Sequence, residues 1–262
     1  MELRATSDLL AGRTVLVTGS GAGIGRAIAR AMANCGAFVW IADRDEDRAA
    51  AVVGEIEADG GRGGAATCDV ADLGSVRAML ARTGPVDVLV NNAGTGVRAF
   101  REGVATMEDF VGSDPEAWGP VIRINFEGVL NVTHTYLPGM LAQGWGRVLT
   151  IVSDAGRRGE RHQAVYGAAK AAAMGFSRGL AVEVGRAGVT VNCIALGTIR
   201  HGGASGGMTD PDVEKAMLRP YPIKRLGRVD DPAPLAVLLC SDAGEWITGQ
   251  VYPVDGGYTS GL

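Results

Sequence analysis

Seven short apolar runs recur along this chain, and segments of helical spacing separate them. The runs are Thr14–Val17, Phe38–Ala42, Gly63–Thr67, Val86–Val90, Arg147–Val152, Val189–Ala195 and Gly249–Val254. Most are apolar at consecutive rather than alternate positions, the pattern of strands covered on both faces. Such strands alternating with helices imply a parallel sheet, in which the helices supply both the crossovers and the cover. Helical spacing is read over 24–35, 46–58, 70–82, about 113–143, 163–184 and 231–241. Gly36 stops the first of these. Ser113-Asp114-Pro115-Glu116 opens the fourth with capping side chains, a first-turn proline and an acid at the positive end of the dipole. Residues 1–12 read as a short leader, 95–113 as a glycine-containing connection, and about 197–221 as a substrate lid. No linker or internal repeat divides the chain, so residues 1–262 are expected to form one α/β domain around a doubly wound seven-stranded parallel sheet with helices on both faces.

Bulk properties narrow the function classes. A net charge of −4 and a sequence pI near 5.5 argue against a dedicated binder of nucleic acid or anionic membrane. No basic stretch leads into an apolar one at the start, and no apolar run approaches the roughly 18 residues of a membrane span, so neither secretion nor a membrane is expected. Cys35, Cys68, Cys193 and Cys240 are scattered without a CxxC, which fits buried free thiols in a reducing cytoplasm better than disulfides. His134, His162 and His201 lack ligand spacing, so no metal site is expected.

Thr18-Gly19-Ser20-Gly21-Ala22-Gly23-Ile24-Gly25 joins the first strand to the first helix. Glycines there let the backbone approach a pyrophosphate, and the helix N-terminus offers N–H donors and a positive dipole end. A plain tight turn would look similar, but the second strand ends in Asp43, where an acid can bond both ribose hydroxyls. A carboxylate there repels a 2′-phosphate, so NAD is expected over NADP. Arg44, immediately after, works against that preference.

Tyr166 and Lys170 lie one helical turn apart, about 5–6 Å between Cβ atoms. A free tyrosine titrates near ~10, and a nearby ammonium is expected to lower that value toward neutral pH. Lysine is scarce, Lys170, Lys215 and Lys224 standing among 25 basic residues, which suggests a need for a compact ammonium at this position. An ordinary surface Tyr and Lys would give the same spacing.

Taken together these residues give a chain that resembles the short-chain dehydrogenase/reductase superfamily, the single-domain Rossmann-type enzymes with Tyr-x-x-x-Lys, over essentially its whole length. The matching pieces are Thr18-Gly-x-x-x-Gly23-x-Gly25, Asp69 after the third strand, Asn91-Asn92-Ala93-Gly94 after the fourth, Asn125, Ser153, the Tyr166/Lys170 pair, and Ile247-Thr248-Gly249 through Val254-Asp255-Gly256-Gly257. The resemblance implies a cofactor site formed by Gly19, Ser20, Gly23, Ile24, Gly25, Asp43 and Arg44. Asp69 and Val70 would meet the adenine, and Asn92, Ala93 and Gly94 the ribose side, while Asn91 pins neighbouring strands. It implies Tyr166 as general acid/base, Lys170 on the nicotinamide ribose, Ser153 on the substrate oxygen, and Asn125 anchoring a water that joins Lys170 to solvent. Gly197 and Ile199 would lie over the nicotinamide, although Leu196 stands where the family commonly has proline, which is expected to alter the loop's entry.

The implied chemistry is hydride transfer between NAD(H) and a secondary alcohol or ketone, the phenol handling the proton while Ser153 stabilises charge on oxygen. The Ser-Asp-Ala-Gly-Arg stretch resembles members acting on alicyclic hydroxyacyl-CoA thioesters, and Arg157 and Arg158 are expected to meet an anionic group, unless they form a solvated loop or a subunit contact. Other readings are an NADP-dependent 3-oxoacyl reductase, a non-catalytic NAD(P) sensor, which would be expected to lose Ser153, Tyr166 or Lys170, and a sugar-nucleotide epimerase, which needs a larger C-terminal domain. The two long helices, with Ala168, Ala171 and Gly175 among their small residues, are expected to pair into a homotetramer.

Overall fold

In a computed structural model of the chain, which describes residues 8–95, 110–200, 215–216 and 218–260, the first apolar run becomes strand β1 (Thr14–Thr18). Val15, Leu16 and Val17 of β1 are all wholly buried. That is the doubly covered strand the run predicts. Val15 and Val17 point into one core layer and Leu16 into the other, as alternate side chains of a strand must.

After β1 come α1 (Gly23–Asn34), β2 (Phe38–Asp43), α2 (Glu46–Ala58), β3 (Arg62–Thr67), α3 (Leu73–Thr83) and β4 (Val88–Asn91). The second half holds α4 (Trp118–Ile122), α5 (Gly128–Gln143), β5 (Gly146–Ser153), α6 (Ala155–Arg158), α7 (Ala164–Val184), β6 (Val189–Leu196), α8 (Ala233–Cys240) and β7 (Val251–Val254). All seven strands are parallel, in the order β3-β2-β1-β4-β5-β6-β7. Helices α1, α2 and α8 cover one face through Ile28, Met32, Ile56 and Val237. Helices α3, α5 and α7 cover the other through Val76, Tyr136, Met140 and Leu180. The sheet is therefore of the doubly wound Rossmann type.

The order reverses direction between β1 and β4, the switch point at which such sheets open a crevice beyond their C-terminal strand ends. Thr18, Asp43, Asn91, Ser153 and Leu196 end their strands on that side.

Several boundaries differ from the sequence expectation. Helix α3 starts at Leu73, because the Asp72 carboxylate caps it by accepting from the amides of Gly74 and Ser75. Strand β7 starts at Val251, after the positive φ of 70° at Gly249. The expected helix 113–143 is not continuous. A 3₁₀ turn, Pro115–Ala117, leads into α4, and a π-helical turn, Arg123–Glu127, separates α4 from α5. A π turn is uncommon and gathers at functional positions. This one carries Asn125.

Among the described residues all four cysteines are free thiols, no His, Cys, Asp or Glu cluster could hold a metal ion, and no helix is long and apolar enough to cross a membrane. Of the expected lid, residues 201–214 and 217 lie outside the described residues, as do 96–109 of the earlier connection.

Candidate active site

The β1–α1 turn is shaped by close approach. Gly19 has φ 62°, and a Cβ there would stand 2.7 Å from the Cα of Ala93. A Cβ on Gly21 would stand 2.8 Å from Asp43 Oδ2. Helix α1 begins with no side-chain cap and no first-turn acid, so its N-terminal amides and positive dipole end keep no counter-charge of their own. Asp43 folds back on the same turn, accepting from Gly21 N at 2.9 Å and Asp45 N at 3.1 Å. Arg44 is exposed beside it.

The side chains of two residues expected at the cofactor hold the turn itself together. Ser20 is wholly buried, its hydroxyl donating to the Val17 carbonyl and its amide to that of Ala42, so it supports the loop from beneath. The Asn92 side-chain amide donates to the carbonyls of Thr18 and Gly19, both at 2.9 Å. The hydroxyl of Thr18 accepts from the amides of Asn92 and Ala93, each at 3.1 Å. Asn91 pins α5 by donating to Thr133 Oγ1 at 3.0 Å. Nearby, Asp69 Oδ1 accepts from Ala71 N, and the side chain of Val70 packs against Gly128, both at the edge of the crevice.

Gly94 brings the next group together. A Cβ on Gly94 would lie 2.8 Å from Asn125 Oδ1 and 3.3 Å from Lys170 Nζ, so both atoms face one point. The Asn125 amide donates to Thr95 Oγ1 and to the Val121 carbonyl, which fixes its orientation. Its Oδ1 is buried and has no hydrogen-bond partner among the described residues. A buried acceptor left like this suits a bound water.

Ser153, at the end of β5, is hydrogen-bonded to the Tyr166 phenol on α7. Lys170 Nζ donates to the Ile151 carbonyl at 3.0 Å and lies 5.8 Å from the centroid of the Tyr166 ring. The expected lowering of the phenol is not what this arrangement produces. Burial pushes Tyr166 up to about 12, with the Ser153 hydrogen bond opposing and Glu160 adding to the rise. Lys170 is itself buried and brought down to about 8 by loss of solvation, so desolvation outweighs a distant ammonium turned toward a carbonyl.

The rim also departs from expectation. Ile199 does not present its side chain to the crevice. It is 6% exposed, belongs to the core under α8, and would collide with any Cβ at Gly227. Gly197 sits on Asp255 and Tyr221. Leu196, in the usual proline's place, stays in register opposite Ser153 and extends β6 by one residue. Arg157 turns inward to Asp154 at 3.7 Å and donates to Thr259 Oγ1, so its guanidinium is engaged by the protein's own tail. Arg158 lies 4.3 Å over the ring of Tyr258. Thr95, Thr198 and Tyr221 border the site without having been singled out in the sequence. Asp255, which borders it too, stood in the Val254-Asp255-Gly256-Gly257 ending but with no role assigned.

The residues present suit a dinucleotide. The turn is cradled by glycines, α1 lacks its own counter-charge, and the orphan oxygen of Asn125 faces the side where Lys170 lies. A parallel sheet with this switch point and a Ser–Tyr–Lys group beside it defines a dinucleotide-dependent oxidoreductase. Comparison with known proteins makes the assignment specific. Residues 19–259 match the family model described as Enoyl-(Acyl carrier protein) reductase. The chain is 38% identical to Nodulation protein G of Azospirillum brasilense over 251 residues, 94% of this chain and 97% of that one. It is 35% identical to the 7alpha-hydroxysteroid dehydrogenase of Escherichia coli (strain K12) over 253 residues, 95% of this chain and 94% of that one. The crystal structure of a gluconate 5-dehydrogenase from Burkholderia cenocepacia J2315 in complex with NADP and tartrate superposes with a TM-score of 0.89 and 32% identity, covering 99% of this chain and 100% of that one. The chain belongs to the short-chain dehydrogenase/reductase superfamily and is an NAD(P)-dependent oxidoreductase acting on CH–OH groups.

Proposed function

We propose that this chain, working as one domain, interconverts a secondary alcohol and its ketone with NAD(H), Tyr166 serving as general acid/base. The observation that carries the reading is the Ser153–Tyr166 hydrogen bond beside the buried Lys170. Bound at the β1–α1 turn, the dinucleotide would supply or accept the hydride. Tyr166 takes or returns the proton at the alcohol oxygen, and Ser153 donates a hydrogen bond to that oxygen as charge develops. Lys170 holds the ribose hydroxyls and, with Asn125 Oδ1 and its water, passes the proton toward solvent. Gly19, Gly23, Ile24, Gly25, Ala93, Gly94, Asp69, Val70 and the backbone at Gly197 and Ile199 frame the cofactor.

NAD is favoured because the Asp43 carboxylate stands against Gly21, where a 2′-phosphate would meet like charge. A relative with NADP bound keeps the opposite preference in view, and the exposed Arg44 is the residue that would support it. For substrate we favour an alicyclic or hydroxyacyl-CoA-type alcohol, supported by a relative named for a steroid hydroxyl. Ala168, Ala171 and Gly175 are exposed on the outer side of α7, with Val182 85% exposed, and we assign this face to a homotetramer in the cytoplasm.

The test is a panel of hydroxysteroids, cyclic alcohols, hydroxyacyl-CoAs and sugars read by nicotinamide absorbance with NAD and with NADP. NAD-dependent oxidation of a cyclic or acyl-CoA alcohol is the expected result. Turnover with NADP alone, or only on 3-oxoacyl substrates, would replace this reading with that of an NADP-dependent reductase.

A further inference from the structure

The residue directly after Ser153 has no part in the reaction as derived. Asp154 is nevertheless wholly buried, and its carboxyl lies close enough to that of Asp255, just past β7, for the two to interact. Two facing acids can share a hydrogen bond only if one keeps its proton. Asp255 Oδ1 accepts from Gly257 N at 2.9 Å, and its Oδ2 accepts from Thr259 N at 2.8 Å and Thr259 Oγ1 at 2.6 Å. Asp255 is thus the ionised acceptor. Neither Asp154 oxygen accepts from an N–H or hydroxyl among the described residues, and Arg157 stands 3.7 Å away, beyond hydrogen-bond range. A carboxylate in that position would be buried without donors and opposite a second carboxylate. A carboxylic acid has a use for its proton there.

The charged and titratable groups around Asp154 agree. Asp255 faces it from the tail, Arg157 from α6, Glu160 from the loop before α7, and Tyr258 lies farther along the tail. Burial raises Asp154 to about 7, Asp255 adds to the rise, and Arg157 opposes it. Burial also works against ionisation of Asp255, but the Thr259, Gly257 and Asp154 hydrogen bonds outweigh it and lower its pKa.

A second tie joins the same elements. The ring of Tyr258 stacks on that of Tyr221 at 4.6 Å and also carries the Arg158 guanidinium. The Tyr221 hydroxyl donates to Thr198 Oγ1 and accepts from Thr198 N, both at 3.1 Å, in the loop after β6.

We propose that Asp154 is a positioning residue: it donates its carboxyl proton to Asp255 and so fastens the chain behind Ser153 to the C-terminal segment, holding the serine against Tyr166. This rests on the catalytic role proposed for Ser153. The tail after β7 is therefore part of the active-site framework.

Two variants separate the proton from the packing. Asp154→Asn puts a permanently neutral N–H donor in the proton's place, and Asp154→Ala removes it. Asp154 binds a proton more tightly folded than unfolded, so ionising it opposes folding, and the wild-type thermal midpoint should fall between about pH 5 and about pH 8.5. Asp154→Asn should match wild type at the lower pH and exceed it at the higher. An Asn variant that follows wild type at both values would overturn the shared proton. Crystal structures should show the Ser153–Tyr166 hydrogen bond kept in Asp154→Asn and broken in Asp154→Ala, with kcat of the Ala variant reduced roughly tenfold to a hundredfold, the scale of a misplacement near 1 Å. Ser153 undisturbed in Asp154→Ala would contradict the positioning role. Tyr166→Phe is carried alongside: if that variant keeps its turnover, the catalytic reading fails, whereas the melting and crystallographic results judge Asp154 by themselves.

Discussion

The Lys170 ammonium donates a hydrogen bond to the Ile151 carbonyl at 3.0 Å, within β5, while its nitrogen lies 5.8 Å from the centre of the Tyr166 ring one turn earlier. The amine is buried at a cost, and its pKa is brought down to about 8 by lost solvation, with Cys193 opposing. A lysine whose folded pKa lies below its unfolded one binds its proton less tightly when folded. Stability should therefore rise with pH from about 8 toward the unfolded value near ~10.4. Lys170→Met removes the buried charge. The variant should melt higher than wild type at neutral pH while losing turnover, and a lower midpoint would show that the carbonyl bond outweighs the desolvation.

The point shared by Asn125 Oδ1 and Lys170 Nζ makes Gly94 sensitive to a single methyl group. A Cβ would come within 2.8 Å of the first atom and 3.3 Å of the second. Gly94→Ala should lower kcat by tenfold or more, equivalent to about 1.4 kcal/mol, with little change in melting. Steady-state kinetics beside calorimetry would separate the two effects.

Cofactor choice is expected to turn on Asp43. Replacing it with serine removes the like charge and leaves Arg44 free to meet a 2′-phosphate. The ratio of kcat/KM for NADP to that for NAD should rise by about tenfold to a hundredfold, the worth of about 1.4–2.8 kcal/mol. An unchanged ratio would place the discrimination elsewhere.

The outer face of α7 is expected to be an interface, since Ala168 and Ala171 are exposed and Val182 is 85% exposed. Light scattering should give the mass of a tetramer. Ala168→Arg should reduce it without unfolding the chain, because the side chain points away from the core. A monomeric wild type would refute the assembly.

Much of this was legible in the sequence, for physical reasons. Both-face burial writes a strand as consecutive apolar residues, so Val15, Leu16 and Val17 announce β1, and the glycines of the next turn mark where backbone must approach backbone. Hydrogen-bond accounting is less visible. Nothing local to Asn92 or Ile199 says that each would be turned inward, because Gly19 and Gly227, which they meet, lie far along the chain and are fixed only when the sheet closes. The π turn at Asn125 hides because it keeps helical spacing on either side. The pairing of Asp154 with Asp255 spans the chain from β5 to the tail. Spacing also brings Tyr166 and Lys170 together, but not where the ammonium points.

The most direct measurement is single-turnover oxidation by Tyr166→Phe, with dinucleotide affinity determined by fluorescence on the same preparation. The account predicts that hydride transfer is lost by a factor of at least about a hundred, the scale of general acid–base catalysis, while affinity stays within about twofold of wild type. Transfer at near the wild-type rate would contradict the assignment of Tyr166 as the proton-handling group.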